Sequence, residues 1–352
     1  MTKKTINNYT QTIRLHQYIV KNLSSLTTNN YVNREIQNNI TKYGVYIDSE
    51  LMFDRLNKIW GNETIEISHW PTKEKASYEG IRIVWENKYY LVLYKPFGLP
   101  VQSGAGHTDN NLVNWLLDNI PSQKELINSK AIGEELEQNN VVTAGLVHRI
   151  DKDTQGLILI AKSLEALNHA QNQFRNRTVT KSYLTTLSGL LNKTITIEGF
   201  QYREIKNKIK QIFVTPNCYN WTLKHYNLQE KDLRDCKTTI TPLITDSVNT
   251  FCKVVIHTGR MHQIRLAGQS IGHPVLNDKI YSNIHQRLSE LDLAKFEQTE
   301  KQPQLMDNQE FTNLLKKVFC EQEYNLLANE LIFEDMEGVM VSNKLFDFEQ
   351  KK

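Results

Sequence analysis

His148-Arg149-Ile150-Asp151-Lys152-Asp153-Thr154-Gln155-Gly156 runs straight into Leu157-Ile158-Leu159-Ile160-Ala161 and is preceded by Gly145-Leu146-Val147. Seven of the nine residues from 148 to 156 are polar or charged, while the flanking runs are apolar and of strand length. A polar loop at the rim of a core is where binding and reacting groups collect. The loop therefore marks both a buried strand, Leu157–Ala161, and a candidate site.

Outward from this loop the pattern keeps alternating between strand and helix signals. Leu164, Leu167, Gln171 and Phe174 share one face of a predicted helix over Leu164–Arg177, and a strand over Ser182–Leu187 follows. Upstream, Ile81–Trp85 and Tyr89–Tyr94 flank Glu86-Asn87-Lys88 as a hairpin, which Lys95-Pro96-Phe97-Gly98-Leu99-Pro100 ends with two prolines and a glycine. A helix is expected over about Asn111–Ile120, before a weakly specified stretch at 121–143. Residues 195–250 read as irregular β with loops, Phe251–His257 as a strand, and 262–271 as a short helix closed by Gly272. Strands and helices mixed without regular βαβ alternation place the chain in the α+β class.

The ends differ from the middle. Residues 1–12 are polar and are expected to fray. Leu15, Ile19, Leu23 and Leu26, then Val32, Ile36 and Ile40, predict two amphipathic helices, the second closed by Gly44. Val45-Tyr46-Ile47-Asp48 and Glu63-Thr64-Ile65-Glu66-Ile67 alternate as short strands. The expected division is a tail at 1–12, a small α+β module at 13–70, a polar linker at 71–80, a main domain at 81–283 and an acidic, partly helical extension at 284–352. Phe311, Leu314, Leu315, Val318 and Phe319 supply the helical spacing in the last part.

Net charge is +3, from 42 Lys+Arg and 39 Asp+Glu. Residues 284–352 hold 8 Lys+Arg against 14 Asp+Glu, which leaves 34 against 25, or +9, on residues 1–283. That excess suits a polyanion. Cys218, Cys236, Cys252 and Cys320 form no C-x-x-C pair, no leader is read at the start, and no apolar run approaches the roughly 20 residues a membrane span needs. The expectation is a cytoplasmic protein without disulfides, structural metal or membrane span.

A second polar cluster, His257-Thr258-Gly259-Arg260-Met261-His262-Gln263-Ile264-Arg265, lies where a strand end turns into a helix. Arg260 and Arg265 cannot share one helix face, so one can meet phosphate while the other pairs with a carboxylate. Here the chain resembles the RluA family of RNA pseudouridine synthases. Residues 148–156 match its H-R-(L/I)-D-x-x-T-S-G, Lys181-Ser182-Tyr183 with Leu187-Ser188-Gly189 its K-x-Y-x-x-x-V-x-G, and Thr258–Arg265 its T-G-R-x-H-Q-(I/L)-R. Ile271-Gly272-His273-Pro274 with Asp278 and Tyr281, and Lys95-Pro96-x-Gly98-Leu99-Pro100-Val101, also fit. Gln155 departs from the pattern's Ser, Ala267-Gly268-Gln269 from His-Leu-Ala, and Asn277 from Gly, where Asn can still adopt a left-handed conformation. Residues 13–70 resemble the small RNA-binding module named after ribosomal protein S-four, through Arg14-Leu15, Gly44–Asp48 and Glu63–Ile67.

The resemblance implies a mixed, mainly antiparallel sheet with helices and loops around a central cleft. It also implies isomerisation of uridine to pseudouridine in RNA, with no cofactor and no metal. Asp151 is then the carboxylate nucleophile or base, Arg265 its ion-pair partner, and Tyr183 the ring that stacks on uracil and assists proton removal. Arg149 would fill the gap left by a flipped nucleotide or contact phosphate, and Ile264 would wall the uracil. His148, Lys181 and Arg260 would line the RNA site, His148 as a hydrogen-bonded structural histidine rather than a catalyst. Arg14, Arg34 and Lys42, with Lys21, would meet phosphates from the N-terminal module. Ribosomal RNA is the expected partner, transfer RNA the alternative, and the protein is expected to be a monomer. Two rival readings remain: a glycosyltransferase using Asp151-x-Asp153 to hold a metal, and an RNA-binding or ribosome-assembly protein without catalysis.

Overall fold

A computed structural model describes residues 3–5, 13–26, 33–59, 63–67, 70, 78–102, 110–128, 144–205, 207, 209–282, 287–319 and 324–348. The weakly specified stretch at 129–143, most of the linker and residues 6–12 lie outside the described residues. The N-terminal unit comprises β1 (Lys3–Thr5), β2 (Ile13–Arg14), α1 (Leu15–Leu26), α2 (Asn33–Tyr43), β3 (Val45–Ile47), β4 (Glu50–Met52), β5 (Lys58–Ile59) and β6 (Thr64–Glu66). Leu15, Tyr18, Ile19, Ile36 and Ile40 close one core with Val45, Ile59 and Ile65, on the faces that the spacing of Leu15, Ile19, Ile36 and Ile40 predicted, while Val32 and the Leu23 and Leu26 side chains lie outside the described residues. Gly44 turns the chain at φ +75° with its N–H on the Ile40 carbonyl, the left-handed C-cap expected there. One expectation is corrected: Lys3–Thr5, read as fraying tail, pairs antiparallel with β6, because that edge offers a free ladder of backbone groups.

The rest of the chain builds one twelve-stranded sheet. Its strands are β7 (Arg82–Glu86), β8 (Tyr90–Lys95), β9 (Gln155–Ala161), β10 (Thr180–Ser188), β11 (Lys193–Arg203), β12 (Gln211–Val214), β13 (Arg234–Thr245), β14 (Asn249–Ile256), β15 (Glu297–Glu300), β16 (Gln304–Leu305), β17 (Leu326–Glu334) and β18 (Met340–Lys344). The path across it is β12-β11-β13-β14-β10-β17-β9-β8-β7, with the other three strands pairing onto β11, β13 and β17. Along that path only β17–β9 is parallel. The class is α+β with a mainly antiparallel sheet, as expected.

β8 and β9 are buried along their whole length, and period-two alternation sends their side chains into two cores. Leu91, Leu93, Ile158 and Ile160 enter the core on one face, with helix α3 (Leu112–Asn119) and Tyr183. Tyr90, Val92, Leu157 and Leu159 enter the other, under helix α5 (Leu164–Asn176), α4 being Pro121–Asn128. α3 is capped by the Asn111 side chain and α5 by Ser163, and α5 ends with Arg177 at φ +61°. Residues 195–250 are not irregular: β11 and β13 run for 11 and 12 residues. Their Thr-Ile alternation is a half-buried strand pattern that Gly199 in β11 and Pro242 in β13 obscured.

The largest correction concerns 284–352. The helix expected from Phe311 to Phe319 is present as Asn308–Phe319, with α6 (Tyr219–His225) and α7 (Gln263–Ser270) between it and α5, so it is α8. The segment is no appendage, however. β17 lies between β10 and β9, and its Leu326, Leu327, Ala328, Leu331 and Phe333 are shared among three cores. Leu-Leu-Ala-Asn-Glu-Leu-Ile-Phe is a buried-strand run whose partners lie about 150 residues upstream, so nothing local announced it. Gly156, at φ +115°, permits this approach: a Cβ there would sit 2.2 Å from the Ala328 carbonyl oxygen. Leu327→Ala should therefore lower unfolding free energy by about 2–5 kcal/mol in urea titration, whereas a strand outside the core would tolerate it.

Candidate active site

The 148–156 loop enters β9 at one end of the sheet, beside the start of β10 and the helix α7 that follows β14. Asp151 opens the turn, its carbonyl accepting the Thr154 N–H, and its side chain is half-buried. Its charge reaches the hydroxyls of Tyr183, Tyr281 and Tyr324, the imidazole of His262, the guanidinium of Arg265 and the ammonium of Lys95. Residues far apart in the chain thus converge on one carboxylate.

Tyr183 stands immediately after a β-bulge between β10 and β17 and packs in the main core with Ile264. Burial, then the charge of Asp151, pushes its phenol up, so it remains a protonated donor. Ile264 is 5% exposed, as a wall residue should be.

Arg265 does not pair with Asp151. Its Nε and Nη2 donate to the two oxygens of Asp278, both at 2.7 Å, in a bidentate buried pair. Burial opposes the arginine's charge, but Asp278 outweighs it and holds the group firmly protonated. Asp278 in turn accepts the backbone N–H groups of Ile280 and Tyr281 at 2.8 and 2.9 Å. The guanidinium carbon lies 5.1 Å from the Tyr281 ring and 5.5 Å from the Tyr324 ring. Asp151 keeps only a longer-range attraction to Arg265 and has no salt bridge among the described residues. Asp278 and Tyr281 were matched to the family pattern without a role, and the nearer carboxylate wins the arginine because the tight turn at 275–281 presents it within the core. Asn277 takes φ +61° in that turn, the left-handed conformation expected of it.

His148 is structural. Its Nε2 accepts the Leu159 N–H at 3.0 Å, and its ring stacks on Phe174 at 4.7 Å. Burial and the Lys181 charge bring its pKa down to about 3, so it is neutral and no phosphate ligand. Arg149 is exposed beside it. Arg260 and Arg177 both bind the Asp235 carboxylate, and Arg260 Nε also donates to the Asp235 carbonyl at 2.9 Å. Lys181 is 9% exposed and has no carboxylate partner among the described residues; burial and these two arginines bring its pKa to about 8. Two arginines sharing one carboxylate, with an unpaired lysine beside them, leave net positive charge that can seat an anion. Arg14 and Lys42 are exposed on the N-terminal unit, Lys42 over the Tyr43 ring, and the Arg34 side chain lies outside the described residues.

Two residues escaped the sequence reading. Lys95 is fully buried and donates from Nζ to the carbonyls of Pro96, Leu99 and Lys152 at 3.0, 2.8 and 2.9 Å, tying the 95–100 turn to the loop of Asp151. Burial brings its pKa to about 7, against the pull of Asp153 and Asp151. Lys95 opens a motif that had been matched, which was the only signal. Tyr324 carried none: it precedes β17, and its buried hydroxyl has no hydrogen-bond partner among the described residues.

The family profile of RNA pseudouridylate synthase matches residues 89–270. A ribosomal large subunit pseudouridine synthase D of Nitrosomonas europaea is 31% identical over 228 residues, 64% of this chain and 57% of that protein. The protein of the same name from Pseudomonas aeruginosa is 32% identical over 201 residues, 57% of this chain and 53% of that protein. An uncharacterized RNA pseudouridine synthase of Aquifex aeolicus is 32% identical over 246 residues, 67% of this chain and 68% of that protein. The chain thus spans little more than half the length of the first two relatives. Among the described residues no helix is long and apolar enough to cross a membrane.

Two outcomes follow from the geometry. Asp278→Ala strands a buried arginine and should cost about 3–5 kcal/mol in unfolding free energy. His148 binds its proton only near pH 3 when folded and near 6.5 when unfolded, so the unfolded chain holds more protons between these values and stability falls as pH drops through that window. Urea midpoints at pH 7 and pH 5 should differ less in His148→Gln than in the wild type.

Proposed function

We propose that this chain, which belongs to the RNA pseudouridylate synthase family, converts uridine to pseudouridine in RNA, with ribosomal RNA of the large subunit as its substrate. The observation that carries the reading is the convergence of Tyr183, Arg265 and Tyr281 on Asp151. The relatives named for the large ribosomal subunit support the substrate, and transfer RNA is its alternative.

The reaction breaks the bond from ribose carbon 1′ to uracil nitrogen 1 and makes one to carbon 5, whose proton leaves to water while nitrogen 1 takes one up. Atoms and oxidation state balance without a co-reactant. Asp151, with no ion pair among the described residues, keeps its lone pairs for the ribose or the ring. Arg265, locked by Asp278, offers a fixed positive charge that favours ionised Asp151 without neutralising it. Tyr183 supplies an apolar ring face to uracil, and its protonated hydroxyl can relay the carbon 5 proton only while a stronger base is present. Ile264 and Ile150 exclude water beside it. Lys181 with Arg260 and Arg177 would take a phosphate of the extruded nucleotide. The N-terminal unit, with Arg14 and Lys42 exposed, would add contacts to the same RNA. Asp153, the second carboxylate of D-x-D, is exposed and lies in the field of Lys95.

Tritium release from RNA labelled at uracil carbon 5 measures the reaction. The purified protein should release tritium from total RNA without added cofactor. Asp151→Ala should abolish release and leave RNA affinity within about twofold, since the half-exposed carboxylate adds no phosphate contact. Absence of release from every RNA tested excludes the isomerase.

A further inference from the structure

None of the side chains that feel the charge of Asp151 comes from residues 203–234. Their sequence holds seven Lys+Arg against three Asp+Glu, with Phe213, Tyr219, Trp221 and Tyr226 interleaved. Trp221 and His225, one helical turn apart on α6, stack with centroids at 4.4 Å and planes at 13°. Tyr226 meets the His225 ring edge-on at 4.7 Å and the Trp221 ring at 6.1 Å and 90°. Trp221 is nevertheless 57% exposed and Tyr226 40%. An indole held flat by a stacked neighbour and left in water is a ready surface for a second aromatic plane.

A cavity of about 480 Å³ adjoins this platform; its walls include Tyr202, Phe213 and Tyr226 with aliphatic side chains, its polar groups include Gln211, Gln269 and Ser270, and its one charged residue is Glu204 at the rim of the segment. Its size suits a planar heterocycle, and amide and hydroxyl groups among aromatic walls suit the edges of a nucleobase. Gln269 and Ser270 belong to α7, the eight-residue helix that carries Arg265, so cavity and site lie within about 12 Å of helix. Gln211 is joined to that site directly, its N–H donating to the Tyr281 hydroxyl at 2.8 Å.

We propose that this face is a second RNA contact, in which an unpaired base outside the target uridine stacks on Trp221 and the next enters the cavity beside Tyr226. A net charge of four positive over the segment favours a polyanion over an acidic-poor protein surface, and stacking accepts any base. The proposal rests on reading the chain as an RNA-modifying enzyme, but its test does not require turnover.

Equilibrium titration of wild type, Trp221→Ala and Trp221→Phe with a short single-stranded oligouridylate and with an RNA duplex of equal length decides it. Trp221→Ala should lose roughly 5- to 100-fold in affinity for the single strand, Trp221→Phe less, and neither should change duplex affinity or the tritium-release kcat at saturating RNA. Thermal melting checks that both variants stay folded; Trp221→Phe keeps its ring if Trp221→Ala does not. Unchanged single-strand affinity in both variants overturns the proposal. So does an unchanged RNA affinity accompanied by loss of a protein partner, which would assign the surface to protein. Wild-type conversion with unchanged affinities sinks the platform alone, whereas reduced affinities without any wild-type conversion sink the isomerase reading and leave the platform standing.

Discussion

The bidentate contact between Arg265 and Asp278 organises everything around the candidate site. Two charges removed from water are expensive, and they persist only where geometry and further hydrogen bonds compensate. Here both conditions hold: the pair is bidentate, and the second carboxylate oxygen also takes two backbone N–H groups from the turn at 275–281. That turn orients Tyr281, whose hydroxyl faces His262 Nδ1 at 3.0 Å and accepts from Gln211. One ion pair thereby ties α7, the turn and β12 together. It also consumes the arginine, so that Asp151 stands in a positive field without being held by it.

Around Asp151 the protein places weak acids rather than strong ones. Tyr183, Tyr281 and Tyr324 are all driven upward, burial being the largest cause in each, so each keeps its proton at neutral pH. A carboxylate surrounded by neutral donors and one fixed cation is arranged to hold negative charge with little solvent to reorganise. Lys95 serves the same loop from below, through three carbonyl contacts that fix its backbone.

Much of this was legible in the sequence, and the rest was hidden for identifiable reasons. Buried strands β8 and β9, helices α3 and α5, and the loop between β8 and β9 that carries Asp151 all follow from runs and periods within a dozen residues. Arg265 was read as a member of an ion pair, but its partner is a matter of packing. Asp151 and Asp278 are both carboxylates in matched motifs, and only the turn holding Asn277 in a left-handed conformation brings the second within reach. His148 was left between structure and RNA contact, and the Leu159 N–H decides it, a bond across the loop that no spacing encodes. β17 was missed because an apolar run beside a helix does not reveal which strands it will separate.

β17 carries a further consequence for how the chain comes into being. Its seat between β10 and β9 is filled by residues 326–334, whereas its neighbours end by residue 188. During synthesis from the N-terminus the two halves of the sheet exist long before the strand that joins them, each with an unpaired edge. Closing so long a loop is slow by topology. Native packing of the sheet therefore waits until residues 326–334 have been made, and a product terminated before them would expose two complementary edges to other copies of itself.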